Sequence, residues 1–142
     1  MKKEVFLRTL EEIDSRRSVK LIAVFNYETM PTIAVNEIRR GRDWDETSAG
    51  YATDLAAFKD AFENLDSDEL FVFGRAPECD NRLGLESVKK CFTENGNSEE
   101  NAEYYYTRNC VTISRLHCFV QRRGKGNYVL FDCSTAGTCI IL

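Results

Sequence analysis

The sequence predicts a mainly β fold, in which an N-terminal α/β segment over residues 1–68 packs as one unit with an antiparallel β domain over residues 69–142. Three observations lead there. From residue 69 onward, apolar runs of strand length alternate with turn-forming residues, and Arg122-Arg123-Gly124-Lys125-Gly126-Asn127 separates Cys118-Phe119-Val120 from Tyr128-Val129-Leu130-Phe131 as a hairpin would. Before residue 69, apolar residues recur at helical spacing in two stretches that flank strand-like runs. The fragments Phe73-Gly74-Arg75, Ile113-Ser114-Arg115-Leu116-His117 and Asp132-Cys133-Ser134-Thr135-Ala136-Gly137-Thr138 each adjoin an apolar run, so two arginines and two hydroxyls gather at the loop end of a sheet.

In chain order, residues 4–17 set Phe6, Leu10 and Ile13 at helical spacing among charges, an amphipathic helix. Val19 to Tyr27 is dense in apolar residues and predicts a buried strand. Met30-Pro31 breaks it, Thr32 to Ile38 reads as a second strand, and Arg39-Arg40-Gly41-Arg42 as a turn with three positive charges. Residues 43–53 form an acidic connector. Asp54 is placed to cap a helix whose Leu55, Phe58, Phe62 and Leu65 make a core-facing stripe. Leu70 to Phe73 is a short strand and Ala76 to Asp80 a turn-rich loop. Residues 93–103 are acidic and nearly free of apolar side chains, which predicts an exposed insertion, and Tyr104 to Ile113 resumes a strand pattern. Cys139 to Ile141 is the last strand.

Gly124-Lys125-Gly126 joins two strands and opens no helix, so it is a turn and not a phosphate-cradling loop. At about 3.3 Å per strand residue, the stretch from Arg115 to Gly124 also carries this basic turn to the far end of the hairpin from Ser114.

Composition bounds the function. The chain has 142 residues, 43% hydrophobic and 30% charged, enough for a real core. A net charge of −4 and a pI near 5.1 speak against a general nucleic-acid binder. Lys2 and Lys3 are followed by Glu4, Glu11 and Glu12 and not by a long apolar run, so neither a signal peptide nor a membrane span is expected, and the protein is placed inside the cell, in cytoplasm or nucleus. The six cysteines, Cys79, Cys91, Cys110, Cys118, Cys133 and Cys139, show no CxxC and no histidine at zinc-finger distance. They read as reduced structural thiols, with no metal and no cofactor.

The three fragments in order, Gly-Arg, Ser-Arg-x-His, then Asp-x-Ser-x-x-Gly-Thr after one hairpin, resemble the forkhead-associated (FHA) domain, a β-sandwich that binds phosphothreonine peptides through loops at one end. The resemblance runs over roughly residues 70 to 142, through FVFGRAPECD, TISRLHCFVQRR and NYVLFDCSTAGTCI. It implies that Arg75 and Ser114 contact the phosphate, that Arg115 adds a second positive contact, and that Thr135 bonds a phosphate oxygen or the peptide. It implies that His117 braces the Ser114 loop while Gly74, Gly137 and Thr138 shape the loops. The implied partner is a phosphothreonine-containing protein, and the implied role is phosphorylation-dependent assembly or signalling without catalysis. A phosphate near charge −2 is well held by arginine forks and hydroxyl donors, so the chemistry agrees.

Two departures stand out. Ala136 occupies the place of the asparagine that in this family bonds the peptide backbone, and the chain stops at Leu142, just after a strand where family members continue through strands that close the sandwich. An open apolar edge is then expected, to be covered by Val19 to Tyr27 and Thr32 to Ile38 in permuted order, or by a second subunit through strand exchange.

A second resemblance, to the caspase-like α/β fold, rests on the strand at Val19 to Tyr27, the run Gly50, Asp54, Phe58, Phe62 and Leu65, and the terminal VLFDCSTAG. It implies a cysteine nucleophile, Cys133, with His117 as base, in an active or inactive peptidase fragment. Only sixteen positions separate the two, with a glycine hairpin between them. A scaffold or dimerisation module that binds no phosphate is a third reading. Thr47 lies among Asp43, Asp45 and Glu46, an acidic context suited to phosphorylation, and a modified Thr47 is a potential ligand for a neighbouring copy.

Overall fold

Two β-sheets pack face to face in the computed structural model, which describes residues 1–14, 16–35 and 51–141. Strands β1 (Lys20–Asn26), β4 (Phe71–Gly74), β5 (Asn81–Arg82), β6 (Cys118–Gly124) and β7 (Asn127–Asp132) form one sheet in the order β1-β7-β6-β4-β5. Strands β2 (Thr32–Val35), β3 (Tyr51–Asp54) and β8 (Cys139–Ile141) form the other in the order β3-β2-β8. Helices are α1 (Lys3–Ile13), α2 (Lys59–Glu63), α3 (Leu85–Glu94) and α4 (Glu99–Asn109), with a 3₁₀ turn at Leu55–Phe58 leading into α2. The fold is thus a mainly β sandwich. All pairings are antiparallel except β4 with β5, a two-residue parallel contact that the expectation of a purely antiparallel domain did not include.

The period of two along each strand divides the core. Phe71, Phe73, Cys118, Val120, Tyr128 and Leu130 face a cluster shared with Ile33, Val35, Leu55 and Phe62. Leu70, Val72 and Phe119 face the other way, toward Phe6 and Leu10 of α1, and the Phe6 and Phe119 ring centroids lie 4.7 Å apart. The larger sheet is therefore covered on both faces. Asp54 caps the 3₁₀ turn as expected, accepting from Ala56 N at 3.0 Å.

Several sequence expectations need correction. Helix α1 ends at Ile13 and not at residue 17, because Asp14 turns the chain: its side chain accepts from Arg16 N at 2.9 Å and its carbonyl from Arg17 N at 3.1 Å. Strand β1 is no buried strand but a sheet edge, with only Phe25 buried and Leu21 and Val24 exposed. A dense apolar run does not by itself distinguish the two positions. The stretch 93–103 is exposed as expected except at Ala102, but the strand expected over Tyr104 to Ile113 is replaced by α4, which packs against α3. Residues 51–53, expected in the acidic connector, belong to β3. The Arg39–Arg42 turn, Thr47 and the strand continuation to Ile38 lie outside the described residues.

Within one chain, β1 pairs with β7 and β2 with β8, Ile33 opposite Ile140. Of the two N-terminal strands expected to cover the edge after the last strand, β2 pairs with it and β1 lies in the other sheet beside β7.

Candidate functional site

Gly74 ends β4 at a point of close approach. A Cβ there would lie 2.2 Å from the Arg115 carbonyl oxygen and 2.9 Å from Cys79 Sγ, so only glycine fits. The contact lets two loops zip together: Arg75 N donates to Ser114 O at 3.0 Å and Ala76 N to Arg115 O at 3.1 Å. The Arg75 side chain ties the same loop through Nε, which donates to Ile113 O at 3.0 Å.

Ser114 is almost buried, 6% exposed, and bonded on each side. Its backbone N–H donates to His117 Nδ1 at 3.1 Å, and its Oγ accepts from Thr135 N at 3.1 Å. An amide N–H only donates, so Nδ1 is unprotonated and the ring proton sits on Nε2, which donates to Gly137 O at 3.0 Å. His117 is fully buried, and that burial holds its pKa below the ordinary 6.5. One neutral ring thus couples the Ser114 loop to the 132–138 loop.

The 132–138 loop is organised by Asp132, whose Oδ1 accepts from Ser134 Oγ at 2.7 Å and from Thr138 Oγ1 at 2.8 Å. Gly137 closes the turn with φ +91° and donates its N–H to Ser134 Oγ at 2.7 Å. This leaves Thr135 exposed beside Ser114.

The four expected contact residues thus fall into two pairs joined by the 113–115 segment. Ser114 and Thr135 are directly bonded, while Arg75 and Arg115 line a cleft of about 320 Å³ whose walls include Glu12 of α1, Glu78 and Thr107 of α4. Arg82 also lines it, held by Glu103 at 2.7 Å and donating through Nε to Arg75 O. The basic turn at Gly124–Gly126 lies at the other end of the hairpin, since Gly124 pairs with Asn127 where Cys118 pairs with Asp132.

Sequence reading missed one residue here. Arg17, in the connector between α1 and β1, places Nη2 2.7 Å from Thr135 Oγ1 and 3.5 Å from Ser114 Oγ.

The cysteine–histidine pair of the peptidase reading does not form. Cys133 is fully buried, its Sγ donates to Leu116 O at 3.5 Å, and burial pushes the thiol up to about 12, while both His117 nitrogens are bonded elsewhere. No disulfide joins any of the six cysteines among the described residues.

The FHA domain family model matches residues 71–141, half of the 142 residues, and comparison with curated proteins and with solved structures yields no match.

Proposed function

We propose that this chain, which belongs to the FHA domain family, binds phosphothreonine in a partner protein through Arg75, Ser114, Arg115 and Thr135 and so takes part in phosphorylation-dependent assembly or signalling. Domains of this family are in general non-enzymatic, phosphopeptide-binding interaction modules. The observation that carries the reading to this chain is the Ser114–Thr135 pair. Ser114 Oγ already accepts from Thr135 N, so its own hydrogen is free to donate, as is that of the exposed Thr135 hydroxyl beside it. Among the described residues no ion pair joins Arg75 or Arg115 to a carboxylate, which leaves their charge for a dianionic ligand.

Ala136 offers no side-chain bond to a peptide backbone, so affinity rests more heavily on the phosphate itself. The reading needs no metal, cofactor or nucleic acid. An intracellular protein meets kinase products directly, and no described helix is long and apolar enough to cross a membrane. Strand exchange is not required to complete the sheets, because β1 and β2 pair within one chain. Assembly between copies would instead run through a phosphorylated threonine such as Thr47, and Thr47→Ala would then abolish kinase-induced dimers on sizing chromatography.

Incubation with a degenerate phosphothreonine peptide library tests the site. Phosphorylated over unphosphorylated enrichment is expected, lost in Ser114→Ala and reduced about tenfold or more in Arg75→Lys. Equal retention of both peptide forms by the native chain would reject the reading.

A further inference from the structure

We infer that Arg17, supplied by the N-terminal segment outside the family match, is a further phosphate-contacting residue of this pocket, reaching the ligand with the guanidinium that spans Thr135 and Ser114. The inference rests on the phosphothreonine reading for its ligand, but its geometry stands apart.

An arginine fixed for purely structural reasons generally ends on carboxylates or backbone carbonyls, which accept strongly. Arg17 ends on two neutral hydroxyls, at 2.7 Å and 3.5 Å, and among the described residues no carboxylate pairs with it. Its Nη1 is sealed from solvent and meets no acceptor. An orphan nitrogen alone marks nothing, since Arg122 Nε is another, but Arg122 has its charge balanced by Glu63 at 3.2 Å and Arg17 has no such balance. A guanidinium with spare donors and an unneutralised charge is disposed toward an oxyanion.

The direction of the bonds adds a second argument. Arg17 donates to Thr135 Oγ1, and Thr135 N donates to Ser114 Oγ, so both hydroxyls are used as acceptors from the protein side. Their hydrogens remain to be given to a ligand. A phosphate oxygen bonded by both would lie within reach of the same guanidinium, and a charge-assisted bond to it is stronger than the bonds to the hydroxyls that it would replace. Arg17 also brings a donor next to position 136, where Ala136 lacks one. The N-terminal segment is then part of the recognition surface as well as of the sheets.

The test uses the full chain with two probes, a fluorescein-labelled degenerate phosphothreonine peptide pool and inorganic phosphate, on the native protein, Arg17→Gln, Arg17→Lys and Ser114→Ala, each first shown to keep the native melting temperature. Arg17→Gln is expected to weaken the pool by about tenfold, with Arg17→Lys between the two, and phosphate is expected to shift the Arg17 guanidinium NMR resonances in the native chain. Unchanged or tighter binding by Arg17→Gln, with loss in Ser114→Ala, overturns the role of Arg17 and leaves phosphothreonine binding standing. A native chain that ignores the pool while phosphate still shifts Arg17 would sink the phosphothreonine reading and keep the anion contact. Silence with both probes overturns both.

Discussion

The β6–β7 hairpin runs between two polar ends. At its turn, Glu63 accepts from Arg122 Nη2 at 3.2 Å, from Gly126 N at 3.3 Å and from the Tyr128 hydroxyl, so Arg122 is paired within the fold, while Arg123 and Lys125 form no ion pair among the described residues. At the opposite end, Arg17 and Arg75 donate to hydroxyls and carbonyls, and Arg17, Arg75 and Arg115 form no ion pair among the described residues. Three basic residues stand at each end, Arg122, Arg123 and Lys125 at the turn and Arg17, Arg75 and Arg115 at the other, so their number does not choose the anion site. The other end differs in setting the Ser114 and Thr135 hydroxyls beside Arg17, where Arg122 at the turn meets a carboxylate, and a cation without a carboxylate retains a field for a phosphate.

Glycines at the two ends offer the sharpest way to break this comparison. Gly74→Ala drives a Cβ to 2.2 Å from a backbone oxygen, and neither zipped loop can retreat without losing the Arg75–Ser114 bond. A loss of about 3 kcal/mol in urea unfolding is expected, together with loss of phosphopeptide retention. Gly126→Ala, at the turn, has φ +73° and meets the half-buried Tyr27 ring at 2.8 Å, a side chain where Gly74 meets backbone. It should cost about 1 kcal/mol and leave phosphopeptide binding intact. Equal costs, or a binding defect from Gly126→Ala, would mean that the two ends are not independent.

What the sequence made legible follows the same division. Strands β4, β6, β7 and β8 and the loops beside them were readable, because period-two runs and glycine turns are local signals and the site fragments sit beside them, whereas the two-residue β5 is too short to show a period. Helix α4 was not read, because Tyr104-Tyr105-Tyr106 looks like strand. Its signals were present: Ser98 caps the helix by accepting from Asn101 N at 3.1 Å, and the buried residues Ala102, Tyr106 and Cys110 are spaced by four. Arg17 could not be read at all. Its partners lie 97 and 118 residues away, and the expected helix through residue 17 hid the turn at Asp14 that redirects it. Asp132 carries a local signal of its own, because an aspartate two residues before a serine is a loop-forming pattern.

Acid titration separates the ends further. The Tyr128 hydroxyl, then that of Tyr27, lowers the Glu63 carboxyl from 4.5 to about 2. A pKa lower in the folded than in the unfolded chain gives stability that is present above 4.5 and is lost as pH falls from there toward about 2. Tyr128→Phe removes the largest cause, so the fall in unfolding free energy over that window should become shallower in urea titrations at stepped pH. An unchanged slope would remove Tyr128 as the cause.

The smallest effect is the most local. His117 is the chain's single histidine, so its imidazole C–H signal is unambiguous in an NMR titration. Burial sets its pKa below 6.5, so the folded ring stays neutral where the unfolded one takes up a proton, and its contribution to stability is present above pH 6.5 and lost as pH falls below it. Protonation places a hydrogen on Nδ1, which can then no longer accept from Ser114 N, and the link between the two loops opens. The amide signals of Ser114 and Thr135 should therefore move with the imidazole midpoint, below 6.5, while those of Gly126 and Asn127 stay still until Glu63 titrates at far lower pH. An imidazole midpoint at or above 6.5 would remove burial as the control of this ring, and hairpin-turn amides that move with it would show that the two ends answer to a single proton and that their separation fails.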